Sequence, residues 1–310
     1  MSTVSSRETA VPVSPGRSSV HPLRRRLGVP APVLCITAMF AVQLGIALSQ
    51  PLFGPLGVGG ATFLRLAAAA VILLALTRPR LRGRSRRDLA SAGLLGVVSA
   101  GMTLCFAGAV DRLPMGTAAT IEFLGPLAVA LAFARRASHL VWALLAGGGV
   151  ALLTLFGGDG GGGGLDPVGL GFAFAAAACY AGYILLTDKV GAAFKGFEGL
   201  AVSIGVGALV TLPLGIGPAW HGLSGAGSPW LLLLTVTGVA LLLPVIPYAL
   251  EMSALRRLPQ RVFSVLVSLE PAVSALVGLV VLQQVLGVVQ LAGIACVVAA
   301  SVGATLTGRH

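Results

Sequence analysis

Residues 112–132 read RLPMGTAATIEFLGPLAVALA, and residues 257–277 read RLPQRVFSVLVSLEPAVSALV. Laid side by side without a gap, they share the Arg-Leu-Pro triplet, Leu124 with Leu269, Pro126 with Pro271, Ala130 with Ala275 and Leu131 with Leu276. Apolar segments match by chance through Leu, Ala and Val, but an arginine and two prolines held at one spacing are harder to produce that way. Leu-Ala-Gly at 145–147 returns at 291–293 with nearly the same offset. Self-similarity at a fixed interval is the mark of a duplicated unit.

The surroundings of these segments say what kind of unit is duplicated. Of 310 residues, 56% are apolar and only 10% charged, with a mean hydropathy of +0.95. Soluble domains carry about 25% charged residues, because a surface in water must be hydrated. That composition excludes a soluble enzyme, a nucleic-acid-binding module and a disordered polymer; the solvent is lipid. A span needs about 20 mainly apolar residues to cross roughly 30 Å of hydrocarbon. Ten stretches qualify: 31–50, 58–77, 89–110, 115–134, 139–156, 167–187, 198–217, 229–251, 259–282 and 286–306. Residues 1–30, rich in Ser, Thr and Pro towards their start, read as a disordered cytoplasmic tail. Arg24-Arg25-Arg26 before an apolar run imitates a signal peptide, yet the run is long enough to span and is read as an uncleaved first helix. Residues 157–166, mostly glycine, form a linker that divides the ten spans five and five.

Charge gives the orientation. The net charge of +11 lies mainly in short gaps between apolar runs, so it forms no basic face for nucleic acid. Taken in alternate gaps, nineteen Lys and Arg fall on one side and only Arg112 on the other, with Arg65 inside a span. Basic residues mark cytoplasmic loops, so both termini are expected in the cytoplasm. Five helices per unit is an odd number, so the second copy must enter from the opposite face. The fold class expected is all-α integral membrane, with ten transmembrane helices in two inverted five-helix repeats, 31–156 and 167–306. That architecture underlies many secondary transporters, with a binding site near the midplane.

Several motifs carry a resemblance. Thr62-Phe63-Leu64-Arg65, Ile121-Glu122-Phe123-Leu124-Gly125-Pro126-Leu127, Pro247-Tyr248-Ala249-Leu250-Glu251, Ala254-Leu255-Arg256-Arg257-Leu258-Pro259 and Ser268-Leu269-Glu270-Pro271-Ala272 stand in spans two, four, eight and nine and the turn between the last two. With the ten-span pattern they resemble EamA-type permeases of the drug/metabolite transporter superfamily, and are similar to the threonine/homoserine exporter branch over about 31–306. The resemblance implies export of small amino acids, driven by the proton gradient, across the cell's plasma (inner) membrane. One position departs: many EamA-type proteins carry Gly-Glu before the last helix, where this chain has Gln283-Gln284.

Ionisable groups at membrane depth cost about 2.5–3.5 kcal/mol each on insertion scales, so each needs a reason. Arg65, Glu122 and Glu270 lie inside spans. A zwitterionic amino acid requires a cation for its carboxylate and an acceptor for its ammonium; Arg65 and Glu122, at matched depth, offer both. The same two residues could instead pair and fix helix packing. Glu122 and Glu270 are the candidates for carrying protons, although Glu270 could simply cap a broken helix. Glu251, close to Arg256 and Arg257, reads as an interfacial salt bridge. Gln43 and Tyr183 are polar handles that reach a cavity or make interhelical hydrogen bonds.

Gly125 with Pro126, Pro244 with Pro247, and Pro271 remove backbone hydrogen bonds inside spans, and broken helices at depth belong where they line a cavity. Pro126 and Pro271 match between the two repeats; Pro244 reads as a kink. Cys35, Cys105, Cys179 and Cys296 lie in separate apolar runs without a CxxC pair, and the four histidines form no catalytic arrangement. No cofactor, metal or enzymatic activity is expected. The remaining alternatives are an exporter of drugs or other metabolites, a passive channel and an intramembrane enzyme.

Overall fold

A computed structural model describes residues 29–79, 84–132, 138–156, 165–194, 197–255 and 257–307. Residues 1–30 and 31–310 separate as two units, and the fold is that of the second. Most of the expected tail, residues 157–164 of the glycine linker, and Arg135, Arg136, Lys195, Arg256 and Arg309 lie outside the described residues.

The described chain is helical, with no strand among the described residues. In order it forms α1 Ala31–Ser49, α2 Phe53–Thr77, α3 Arg86–Val110, α4 Met115–Glu122, α5 Leu124–Ala132, α6 Ser138–Phe156, α7 Pro167–Ala193, α8 Glu198–Gly225, α9 Pro229–Ala240, α10 Ile246–Leu255, α11 Gln260–Val267, α12 Glu270–Val281 and α13 Val288–Thr307. Each of the ten stretches read from the sequence carries helix. Among the described residues, eight stretches are long and apolar enough to cross a membrane, counting Ala31–Thr77 as one of 47 residues and leaving out the shorter Leu140–Phe156. A straight helix of that length would measure about 70 Å, over twice the hydrocarbon thickness. Its course is interrupted by a 3-10 turn at Gln50–Leu52 and by Gly57 at φ 66°, ψ 161°.

The prolines account for the breaks. A proline inside a helix offers no N–H to the carbonyl four residues earlier, and its ring crowds that carbonyl. Counting back four from Pro126 gives Glu122, the last residue of α4. From Pro271 the count gives Val267, the last residue of α11. From Pro244 it gives Ala240, the last residue of α9, and from Pro247 it gives Leu243, whose φ −141° and ψ 106° leave the helix. The breaks after α4 and after α11 fall at aligned positions of the two matching segments.

Packing brings the helices together in related pairs. α2 packs on α8, α6 on α13 and α4 on α12. α3 packs on α7 as α1 does on α10; α4 and α5 pack on α7 as α11 and α12 do on α1; α3 packs on α8 as α2 does on α9. Exchanging the first five spans for the last five thus turns each of these pairs into itself or into another observed pair.

One reciprocal close approach is at α6 and α13, where a Cβ added to Gly149 would stand 2.8 Å from the Gly293 carbonyl, and one added to Gly293 would stand 2.8 Å from the Gly149 carbonyl. Small residues that let backbones approach are how helices associate in lipid. Gly149→Val should therefore lose about 1–3 kcal/mol through overpacking, read as a lower melting temperature of the purified protein in detergent.

Between the spans, Arg84 bonds Glu198 at 2.9 Å and stacks over Phe194, while Arg112 bonds Asp166 at 3.1 Å. The Arg112 hydrogen bond, with the α7 N-terminal amide of Val168, holds the Asp166 carboxyl below the usual range. Gln284 accepts a hydrogen bond from the Met115 N–H at 2.9 Å, occupying one of the free donors at the start of α4. A glutamate at that position could accept the same bond, so the Gln for Glu departure keeps the acceptor. Large apolar side chains such as Leu144, Phe156 and Val288 are exposed, as a lipid-facing surface requires. Trp220 and Trp230, near the ends of α8 and α9, are exposed, as aromatic belts at membrane surfaces are.

Candidate functional site

Breaks in α4/α5, α9/α10 and α11/α12 leave room at the centre of the bundle. There a cavity of about 250 Å³ is bounded by α1, α2, α3, α4, α7, α12 and the α9–α10 segment. Its walls carry Gln43, Arg65, Glu122, Tyr183 and Glu270, so five side chains singled out in the sequence meet in one place. Two further polar groups, Tyr180 and Glu251, were missed as site residues. Ser49, Thr62 and Thr103 add hydroxyls.

Arg65 and Glu122 line this cavity from α2 and α4, and no ion pair joins them; the two ion pairs among the described residues are Arg84 with Glu198 and Arg112 with Asp166. The alternative in which they merely pin helices by pairing is therefore not what this arrangement contains. Gln43 is 1% exposed and donates from Nε2 to Glu270 Oε1 at 3.4 Å, tying α1 to the first turn of α12. Its Oε1 has no hydrogen-bond partner, and neither has the Thr62 hydroxyl, which is also on the cavity wall. Helical Thr and Ser side chains elsewhere in the chain mostly bond back to the carbonyl four residues earlier, as Thr120, Thr187 and Thr211 do. A buried polar atom without a partner costs about 1–3 kcal/mol, so both mark where a bound molecule or water would be welcome.

Glu251 requires a correction. Its expected role was a salt bridge at the membrane surface, but it faces the cavity and makes no ion pair among the described residues. The extended backbone at Leu243, with Pro244 and Pro247 around it, separates α10 from α9 and sets the α10 face carrying Glu251 onto the cavity. The helix-breaking residues are also placed differently from the expectation. Gly125, Pro126, Pro244, Pro247 and Pro271 shape the break points without themselves lining the cavity, where Leu243 takes their place. Gly125 instead packs against the backbone of Ala177 beside Tyr180, an approach a side chain would block. That contact lets α5 sit tightly on α7, the helix that presents Tyr180 and Tyr183.

The two ends of the cavity differ. At one end Ser49, Leu52, Phe53, Phe106 and Val110 form a mainly apolar roof, and Gln50 Nε2 donates to the Val110 carbonyl at 3.1 Å across it. The roof is carried on the Gln50–Leu52 turn and hangs from Gly57, whose conformation is open essentially to glycine alone. At the other end stands Glu251, flanked by Leu250 and Ala254, which pack on Leu34 and Cys35 at the start of α1. No group of three His, Cys, Asp or Glu suited to a metal ion occurs among the described residues.

Comparison with known proteins adds to this geometry. The profile of the EamA-like transporter family matches residues 167–306. The chain is 38% identical over 282 residues to the threonine/homoserine exporter RhtA of Escherichia coli strain K12, covering 89% of this chain and 92% of that protein. It is 37% identical over 292 residues to the exporter of the same name from Salmonella typhimurium strain LT2, covering 92% and 95%. A crystal structure of a protein 20% identical in sequence matches with a TM-score of 0.58 over 90% of this chain and 99% of that one, a likeness of fold.

Proposed function

The chain belongs to the EamA-like transporter family, and we propose that it exports small amino acids of the threonine and homoserine kind across the plasma (inner) membrane, coupled to protons. The observation that carries this reading is a guanidinium and a carboxyl, Arg65 and Glu122, on the wall of one cavity with no ion pair between them. A free amino acid presents the complementary pair. Its carboxylate goes to Arg65 and its ammonium to Glu122, with Gln43 Oε1 as a further acceptor. Tyr183 and the hydroxyl-bearing wall take the substrate's side-chain hydroxyl. At about 250 Å³ the cavity falls below the roughly 300–1,000 Å³ of sites for drug-sized ligands, which favours a small substrate over a bulky one.

Movement follows from the architecture we propose: ten crossings in two inverted halves, 31–156 and 167–306, with both termini in the cytoplasm. The aligned helix breaks and the exchangeable packing pairs support two equivalent halves. Rocking of one half against the other opens the cavity alternately to each side, and Glu122 and Glu270 carry the proton.

Purified protein in proteoliposomes, given a panel of labelled amino acids with a pH gradient switched on and off, tests the whole reading. Saturable exchange of threonine and homoserine, with accumulation only when the gradient is present, is the expected result. Unsaturable conductance would instead make the protein a channel. Transport of bulky apolar compounds in preference to amino acids would move it to the drug-exporting side of the superfamily.

A further inference from the structure

Glu251 lines the same cavity as Arg65, Glu122 and Glu270, and no hydrogen bond or ion pair engages its carboxyl among the described residues. Its level in the bundle differs from theirs. α10 packs on the start of α1, beside Leu34 and Cys35, while the opposite end of α1 reaches the apolar roof at Ser49. The groups close enough to sense its charge are Cys35 on α1, Tyr180 and Tyr183 on α7, Tyr248 on its own helix and Glu270 on α12. None of them is a cation. Arg257, in the turn after α10, is exposed, and the Arg256 and Arg261 side chains lie outside the described residues.

Charge balance gives this position a task. With every acid ionised, the cavity holds three carboxylates and one guanidinium, a net charge of −2 in surroundings of low dielectric. A zwitterionic substrate leaves that total unchanged, so the excess negative charge is relieved by protons on the carboxyls rather than by the substrate. The roof end offers them Leu52, Phe53, Phe106 and Val110, a poor route for a proton; the other end offers a carboxyl.

We propose that Glu251 is the proton-exchange group of this site, passing protons between the Glu122 and Glu270 pair and the water beyond the end of α10. The assignment rests on the carrier reading above and adds a third acid to it. Proton relays of this kind are built from carboxyls facing the interior of a membrane bundle.

Proteoliposomes separate exchange from coupling. Threonine counterflow at equal pH on both sides needs no net proton movement, whereas accumulation against a gradient does. Glu251→Gln is expected to lose pH-gradient-driven accumulation about tenfold more than it loses counterflow, a difference of about 1.4 kcal/mol. Glu251→Asp, which keeps a carboxyl, is expected to restore accumulation with a changed dependence on pH. If Glu251→Gln accumulates threonine like wild type, or loses counterflow and accumulation together, the relay role is wrong. Should Glu251→Gln not fold, the aspartate variant decides: coupling with a pH profile identical to wild type also overturns the proposal. Wild type that exchanges no amino acid at all would refute the carrier reading itself, a different result from wild-type coupling that survives in Glu251→Gln.

Discussion

Arg65→Gln is expected to lose the proposed threonine transport by about 100-fold or more and yet to melt no lower than wild type in detergent. The first half follows from removing the only guanidinium that the described residues place on the cavity wall. Truncating one partner of a buried charge pair costs about 2–5 kcal/mol of binding, and each 1.4 kcal/mol is a factor of ten. The second half follows from Arg65 having no ion-pair partner among the described residues. A charge at membrane depth costs about 2.5–3.5 kcal/mol on insertion scales, and its removal breaks no ion pair among the described residues. A packing role predicts the reverse, a variant that unfolds early and loses activity for that reason. Competition supplies an independent check. Threonine should inhibit wild-type exchange, whereas threoninol, which lacks the carboxylate that Arg65 would hold, should inhibit poorly. Equal inhibition by both would remove Arg65 from the substrate site.

Glu122→Gln is expected to abolish both modes of transport, with exchange at equal pH and gradient-driven accumulation each down about 30-fold or more. This pattern differs from that of Glu251→Gln because Glu122 has two tasks in the proposed cycle, accepting the substrate's ammonium and carrying a proton. An amide can do neither as a carboxyl does, and loss of a charge-assisted contact alone is worth about 1.5–3 kcal/mol. N-acetylated threonine, which has no ammonium, should compete poorly against labelled threonine in wild type. Full proton-coupled export by Glu122→Gln would end the assignment of both tasks, since no other acid stands in α4.

Much of this site was legible in the chain because lipid punishes polarity. An Arg, a Gln, a Tyr or a Glu inside a twenty-residue apolar run has to be accounted for, and Arg65, Gln43, Glu122, Tyr183 and Glu270 stood out for that reason. The breaks were legible too, through the missing N–H of Pro126, Pro244, Pro247 and Pro271. What a linear reading placed wrongly was the consequence of those breaks. Depth was counted along an uninterrupted helix, which put Glu251 at the surface near Arg257; the departure at Leu243 instead turns α10 so that this carboxyl faces inward. Tyr180 was overlooked because one tyrosine in an apolar helix is unremarkable until its neighbours are known. Its place depends on the tight seat of Gly125 against α7, a contact across more than fifty residues that no local pattern encodes. Whether Arg65 pairs with Glu122 was left open by sequence, since matched depth on two helices does not fix which faces meet.

Gly57 sets a limit on how this protein can vary. Every single-base change of a glycine codon that alters the residue adds a Cβ, or stops the chain, and a backbone at φ 66°, ψ 161° accommodates none of those side chains without strain. The joint from which the roof hangs is therefore closed to gradual exploration. Variation at this end of the cavity is left to the residues that joint carries, Gln50, Leu52 and Phe53, or to the opposing Phe106 and Val110.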